Sequence, residues 1–276
     1  MTALRVATVR SLHGADLAAL RALADAEPYA NAVIAARLDS ALPPERELLG
    51  VGEPLSAACY AGGTVVPIGG DAPDWTALAD HLGRRRRTCS SIVGPADAVS
   101  VLWSELSPLW GPARAVRASQ PLLVLERPVP IRADRLVRPA QTYELARYLP
   151  AAAAMFDEEL GIAPLGGPKW GAYITRMADL IASGRALVRT DAHGDVVFKA
   201  EVAAVSRRTA QVQGVWVRPD RRGLGLATTA MAAVIEYGLR LAPSVSLYVN
   251  DFNVPARRLY DRLGMRQVGT LSTVLF

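Results

Sequence analysis

Apolar positions in this chain fall into two kinds of run. Short runs of Val, Ile, Leu and Ala read as strands, and longer stretches with three- and four-residue spacing read as helices. In the first half the pattern predicts a strand over 4–9 and helices from about Asp16 and Pro28. Strand-like runs follow at 47–51, 55–61 and 64–68, and Gly62 and Gly63 mark a hairpin between the last two. A helix over about 74–86, a short strand at 91–93 and a helix opening at Pro95 come next. Val116 and the run 121–126 close the half as strands. Pro128 and Pro130 then stiffen the backbone into an extended linker, which places a domain boundary near residue 130.

The second half repeats this order. A strand at 136–139 leads to helices over about 142–160, with a break at Pro150, and over 169–183. Strands at 186–190 and 196–205 flank the turn Asp191–Asp195, and another runs from Thr209 to Val217. The helix over 226–241 carries an apolar stripe of Leu226, Ala230, Ala233, Val234, Tyr237 and Leu241. A strand at 245–249, a helix at 255–263 and C-terminal strands complete the chain. Both halves read β-α-α-β-β-β-α-β-α-β-β, a repeat of architecture without a clear repeat of sequence. The expected class is α/β with a mixed sheet, in two domains, 1–130 and 131–276.

Composition narrows the chemistry. The chain has 276 residues, 51% hydrophobic and 21% charged, which suits globular domains and excludes a low-complexity scaffold. Cys59 and Cys89 cannot form a disulfide framework, and three scattered histidines argue against a metal centre. No run approaches the roughly 20 apolar residues of a membrane span, and the N-terminal stretch lacks a signal-peptide core, so the expectation is a cytoplasmic protein. The formal charge is +5, and all basic residues except Lys169 and Lys199 are arginines. Such a surplus suits a phosphate-rich ligand as well as nucleic acid. The densest run, Arg84–Arg87, reads as a solvated helix end, and no aromatics interleave with it, which argues against nucleic acid.

The segment Gln213–Ala227, QGVWVRPDRRGLGLA, carries the chemistry. A strand over Val215, Trp216 and Val217 runs through Pro219 into an Arg-Gly loop and then a long helix. Gly223 and Gly225 lack Cβ atoms, so backbone N–H groups can approach a ligand. The loop ends at a helix N-terminus, which favours an anion, and Arg218, Arg221 and Arg222 add charge. These features predict a pyrophosphate cradle. Neither a dinucleotide fingerprint nor a Walker loop is present. Arg222, Gly225 and Ala227 make an R-x-x-G-x-A pattern directly after V-x-V-x-P, which resembles the coenzyme A loop of the GNAT N-acetyltransferases. A second segment, Ser246–Met265, also resembles that family, through Asn253, Ala256 and Tyr260 on one helix face followed by a Leu-Gly turn. Further runs, Met155–Leu165, Val196–Val202 and the C-terminal TVLF, are similar to an actinobacterial GNAT group with a leading domain of uncharacterised function. Ser90–Trp103 and Gln120–Glu126 resemble that leading domain.

The resemblance implies a GNAT fold in the second half, a degenerate GNAT-like first half without the coenzyme A loop, and acetyl-CoA as co-substrate. It implies pyrophosphate binding by Arg222, Gly223, Leu224, Gly225, Leu226 and Ala227, and pantetheine contacts from Val215, Trp216, Val217 and Asn253. It also implies proton donation to the departing thiolate by Tyr260. The strand should splay from its neighbour at 245–249 to admit the cofactor. The base departs from the family pattern: Gln211 and Gln213 stand where a strand Glu is common, and Glu201 is the nearest replacement. By two-residue alternation Lys199 and Glu201 share one face, either lining a cleft or paired on a solvated surface. Asp157, Glu158 and Glu159 close a helix over the family's acceptor region, and Glu158 and Glu159 would suit a cationic amine. The expected activity is acetyl transfer to an amine of a small molecule or protein. An aminosugar-thiol acceptor is an option, since the tandem plan also resembles mycothiol synthases. The alternative is a non-catalytic acetyl-CoA-binding regulatory or sensor module. A homodimer is left open.

Overall fold

The structure, a computed structural model, describes residues 8–40, 48–161 and 170–276. The chain divides into two compact units. The first comprises Met1–Leu123, Tyr248–Val254 and Gln267–Phe276, and the second Val124–Leu247 and Pro255–Arg266. The sequence suggests a single cut near 130. The structure instead returns two later segments to the first unit.

In the first unit the order is β1 (Val9–Ser11), α1 (Leu17–Ala26), α2 (Ala32–Ser40), β2 (Leu48–Val51), β3 (Ala57–Ala61) and β4 (Val65–Gly69). Then come α3 (Ala72–Gly83), β5 (Ser91–Pro95), α4 (Ala96–Trp110) and β6 (Ala115–Leu125). The expected strand at 4–9 lies largely outside the described residues, as does Glu47 of the next one. The hairpin at Gly62–Gly63 joins β3 to β4, with Ala61 opposite Val65. Asp71 caps α3 by accepting the Asp74 N–H at 3.2 Å. The helix stops at Gly83, so Arg84, Arg85 and Arg86 fall beyond its end rather than inside it. Leu78, Leu82, Val99, Leu102 and Leu106 form its core with Leu49, Val51 and Ile92 of the sheet. The last strand of the chain, β12 (Arg266–Leu275), pairs antiparallel with β5, Leu271 opposite Pro95 through Leu275 opposite Ser91.

The second unit runs β7 (Arg138–Pro139), α5 (Leu145–Leu160), α6 (Trp170–Ala182), β8 (Ala186–Thr190), β9 (Val196–Val205), β10 (Ala210–Val217), α7 (Leu226–Leu241), β11 (Val245–Tyr248) and α8 (Val254–Arg262). Its strand order is β11-β10-β9-β8-β7. Only the β10–β11 pair is parallel; β10–β9, β9–β8 and β8–β7 are antiparallel. The two halves thus share one element order, β-α-α-β-β-β-α-β-α-β, one strand shorter than the sequence suggests because each closing pair of runs is one continuous strand. The helix α5 continues through Pro150 without the expected break.

The buried face of α7 differs from the expected stripe. Ala230, Met231, Val234, Ile235 and Gly238 are buried, whereas Ala233 and Tyr237 are half-buried and Leu241 is exposed. Gly238 is the reason for the rotation. A Cβ there would lie 2.6 Å from Val245 Cγ2, so the helix approaches β11 more closely than any side chain would allow.

Candidate active site

The strand β10 opens on one side. Its pairing with β11 is confined to Ala210 opposite Val245 and Gln211 opposite Ser246. From Val212 to Val217 it keeps only its other neighbour, β9. There the register slips between Gln213, opposite Glu201, and Trp216, opposite Lys199. Two residues, Gly214 and Val215, therefore face one, Ala200, which defines a β-bulge. Gly214 takes φ +62°, a conformation that suits glycine. The Arg218 N–H donates to the Val197 carbonyl, so by alternation the Val217 N–H points to the open edge.

Past Val217 the chain makes a 3-10 turn at Pro219–Arg221 and reaches α7 through Gly223 and Gly225, at φ +74° and +79°. A Cβ at either glycine would meet nothing within 4 Å. The glycines are therefore needed for backbone conformation and for the room above the loop, not for contact with the protein. Among the described residues no backbone carbonyl accepts the N–H groups of Gly223 through Ala227. Such a row of donors at a helix N-terminus can receive an anion, and both glycines leave open space above the loop.

The arginines serve differently from the expectation. Arg222 turns back: its Nε donates to the Val217 carbonyl at 2.9 Å and its Nη2 reaches Glu158 at 2.6 Å. Arg218 is held by Asp220 and Asp191, and Arg221 by Asp220. The Arg218 guanidinium holds the Asp220 carboxyl below the usual range; the Asp191 carboxyl is lowered mainly by the Asp195 N–H. The positive potential of the loop thus rests on backbone N–H groups, while the guanidinium groups fix its shape.

On the α5 side, Glu158 also accepts the Trp216 indole N–H at 3.1 Å. Expected as an acceptor-binding residue, it ties α5 to β10 and to the loop. Glu159 differs: its charge contributes, after burial, to holding the Tyr260 and Tyr173 phenols up. Tyr260, on α8, is 5% exposed. Among the described residues its hydroxyl has no hydrogen-bond partner, so it stays protonated with its proton uncommitted. Tyr173 donates to the Ala152 carbonyl at 3.2 Å and stacks on Trp170, with Phe156 at its edge. Asn253 lies in the first unit, where its N–H donates to Asn250 O at 2.9 Å.

Lys199 and Glu201 share one face, as alternation requires, but that face is neither solvated nor open. Lys199 is fully buried and Glu201 3% exposed. Lys199 Nζ sits 2.6 Å from Glu201 Oε1 and 3.0 Å from the Gly214 carbonyl. The Tyr148 hydroxyl, also fully buried, donates to Glu201 Oε1 at 3.0 Å. Burial, then the Glu201 charge, pushes that phenol well up, so it remains a donor. The carboxylate expected as a free proton acceptor is therefore committed to an ammonium and a phenol. Tyr148 escapes a motif-based reading. Its signal is a polar tip in the α5 stripe Tyr148, Ala151, Ala152, Met155. Gly214 is signalled by a glycine inside a strand pattern, the usual mark of a bulge.

A mixed sheet whose parallel pair separates beside an N–H-lined helix start is the architecture of the GNAT fold. Residues 154–265 match the family model described as Acetyltransferase (GNAT) family, and residues 46–148 match one described as a domain of unknown function, DUF4081. The chain carries a domain of the GNAT acetyltransferase family behind that second domain. Solved structures agree in fold. A GNAT-family acetyltransferase from Colwellia psychrerythraea is 12% identical, with a TM-score of 0.61 over 98% of this chain and 99% of that one. A GCN5-related N-acetyltransferase from Sphaerobacter thermophilus is 16% identical, with a TM-score of 0.59 over 97% and 94%. A tandem GNAT protein from the clavulanic acid biosynthesis pathway is 14% identical, with a TM-score of 0.55 over 97% and 98%. The tandem arrangement of GNAT-like halves is thus a known fold. No curated protein matches the chain in sequence. Among the described residues no helix is long and apolar enough to cross a membrane, and no cluster could hold a metal ion.

Proposed function

We propose that the second unit is an acetyl-CoA-dependent N-acetyltransferase that acts in the cytoplasm on an amine of a small molecule or protein. The observation that carries this reading is the row of N–H groups from Gly223 through Ala227, without partners among the described residues, set beside the open edge of β10. Acetyl-CoA would supply an activated thioester carbonyl. The loop N–H groups would bind its pyrophosphate, and the β10 edge at Val215–Val217 its pantetheine arm. N–H groups at the bulge would meet negative charge gathering on the thioester oxygen, a role in which fixed donors are effective. Tyr260 would give its proton to the leaving sulfur, because its phenol is protonated and otherwise unpaired. Glu159, whose charge reaches Tyr260, suits the ammonium form of the acceptor.

A second reading, an acetyl-CoA sensor without turnover, is favoured by one feature. Gln211 and Gln213 cannot take a proton at neutral pH, and Glu201 is ion-paired to Lys199. Calorimetry with acetyl-CoA, followed by thiol release over a panel of amines and aminosugar thiols, separates the readings. Binding with thiol release supports the enzyme, binding without release from any acceptor class supports the sensor, and absence of binding refutes both.

A further inference from the structure

The Lys199–Glu201–Tyr148 network lies under the bulge of β10, and its geometry reaches the Val215 N–H. A trans peptide plane points its carbonyl and its N–H in opposite directions. The Gly214 carbonyl and the Val215 N–H share one such plane. Lys199 Nζ grips that carbonyl at 3.0 Å, so the direction of the Val215 N–H is set by the ammonium. The ammonium is itself fixed by Glu201 at 2.6 Å, and Glu201 by the Tyr148 hydroxyl at 3.0 Å. Glu201 packs against the bulge from the same side: a Cβ on Gly214 would lie 2.9 Å from its carboxyl carbon. Gly214 and Val215 share the bulge and have no residue of their own opposite them in the β9 register.

We infer that Lys199 is a positioning residue that aims the Val215 N–H at the donor thioester oxygen, with Glu201 and Tyr148 as its anchor rather than Glu201 as the reaction's base. The inference rests on the acetyltransferase reading for the identity of the carbonyl and goes beyond it in the role of the three buried side chains. Burying an ion pair so close to a reacting strand is costly for stability alone, since apolar residues often replace such pairs without loss. A network that fixes one donor gives that burial a use.

The test needs no acceptor. Acetyl-CoA labelled with carbon-13 at the thioester carbonyl is bound to the full chain, and the infrared carbonyl band is compared with that of the free thioester. Two double variants remove both charges together, so that no lone charge stays buried: Lys199→Met with Glu201→Gln, and Lys199→Met with Glu201→Leu. Either one that folds, judged by circular dichroism, decides. In wild type the band is expected at lower frequency than in solution. In a folded double variant most of that displacement disappears while coenzyme A affinity changes by less than about threefold. Tyr148→Phe leaves the ammonium on the carbonyl but removes one anchor of Glu201, so it is expected to lose part of the displacement and less than the double variants. A full displacement in the folded double variant overturns the inference, as does an undisplaced band in wild type that binds acetyl-CoA. Wild type that fails to bind at all refutes the acetyltransferase reading itself.

Discussion

Replacing Tyr260 by phenylalanine separates a chemical role from a packing role, because the two predict different changes in stability and turnover. The ring is buried, and among the described residues the hydroxyl has no hydrogen-bond partner. The hydroxyl oxygen is not one of the buried side-chain atoms that lack a partner, so its tip keeps contact with solvent. Phenylalanine keeps the ring and its contacts and removes only a hydroxyl that water reaches, which costs little. The variant should therefore stay within about 1 kcal/mol of wild type, about 2–4 °C in Tm for a chain of this size. Turnover should fall by about 10²-fold or more, the usual loss for a missing general acid. Coenzyme A affinity should stay nearly constant. Differential scanning calorimetry, isothermal titration and thiol release read the three quantities on one preparation. A Tm several degrees lower would show that the hydroxyl is an anchoring group. Unchanged turnover in a stable variant would remove Tyr260 from the chemistry.

Two further perturbations probe the loop and the electrostatics. Gly225→Val places a β-branched residue at φ +79° and fills the open space above the loop, so it should weaken coenzyme A binding at least about tenfold by calorimetry. Equal affinity in the folded variant would move the pyrophosphate elsewhere. Glu144 accepts both guanidinium nitrogens of Arg138 at 2.7 Å and the Gln141 N–H. The Arg138 bonds hold its carboxyl below the usual value. A depressed carboxylate contributes stability above its unfolded pKa and loses it as pH falls through the folded one. The stability gap between wild type and Glu144→Gln should be full at pH 7, begin to shrink as pH falls below the ordinary carboxylate value of 4.5, and close only once pH passes below the depressed folded value. A gap in urea titrations that does not shrink at all as pH falls through the acid range would refute the linkage.

Much of this fold is written in local pattern. The βα loop, the hairpin at Gly62–Gly63 and the repeated element order follow from glycines, periodicity and caps, all short-range signals. What sequence pattern missed depends on long-range contact. The buried face of α7 is set by Gly238 against Val245, a neighbour from another element. Arg222 adds charge to the loop on paper, yet Glu158, far away in sequence, turns its guanidinium aside. Alternation put Lys199 and Glu201 on one face but could not say what covers it, since Tyr148 comes from a distant helix. The division into units likewise hangs on a pairing between β5 and β12 that no local signal encodes.

That pairing also orders events in time. Translation delivers β5 early and β12 only after the whole second repeat, so the first unit emerges from the ribosome with an exposed strand edge and cannot close on its own. The half synthesised first is finished last. A truncation within β12 would therefore harm the N-terminal half, although the lost residues follow the whole second repeat. A nascent chain of this kind has reason to engage a chaperone until β12 arrives.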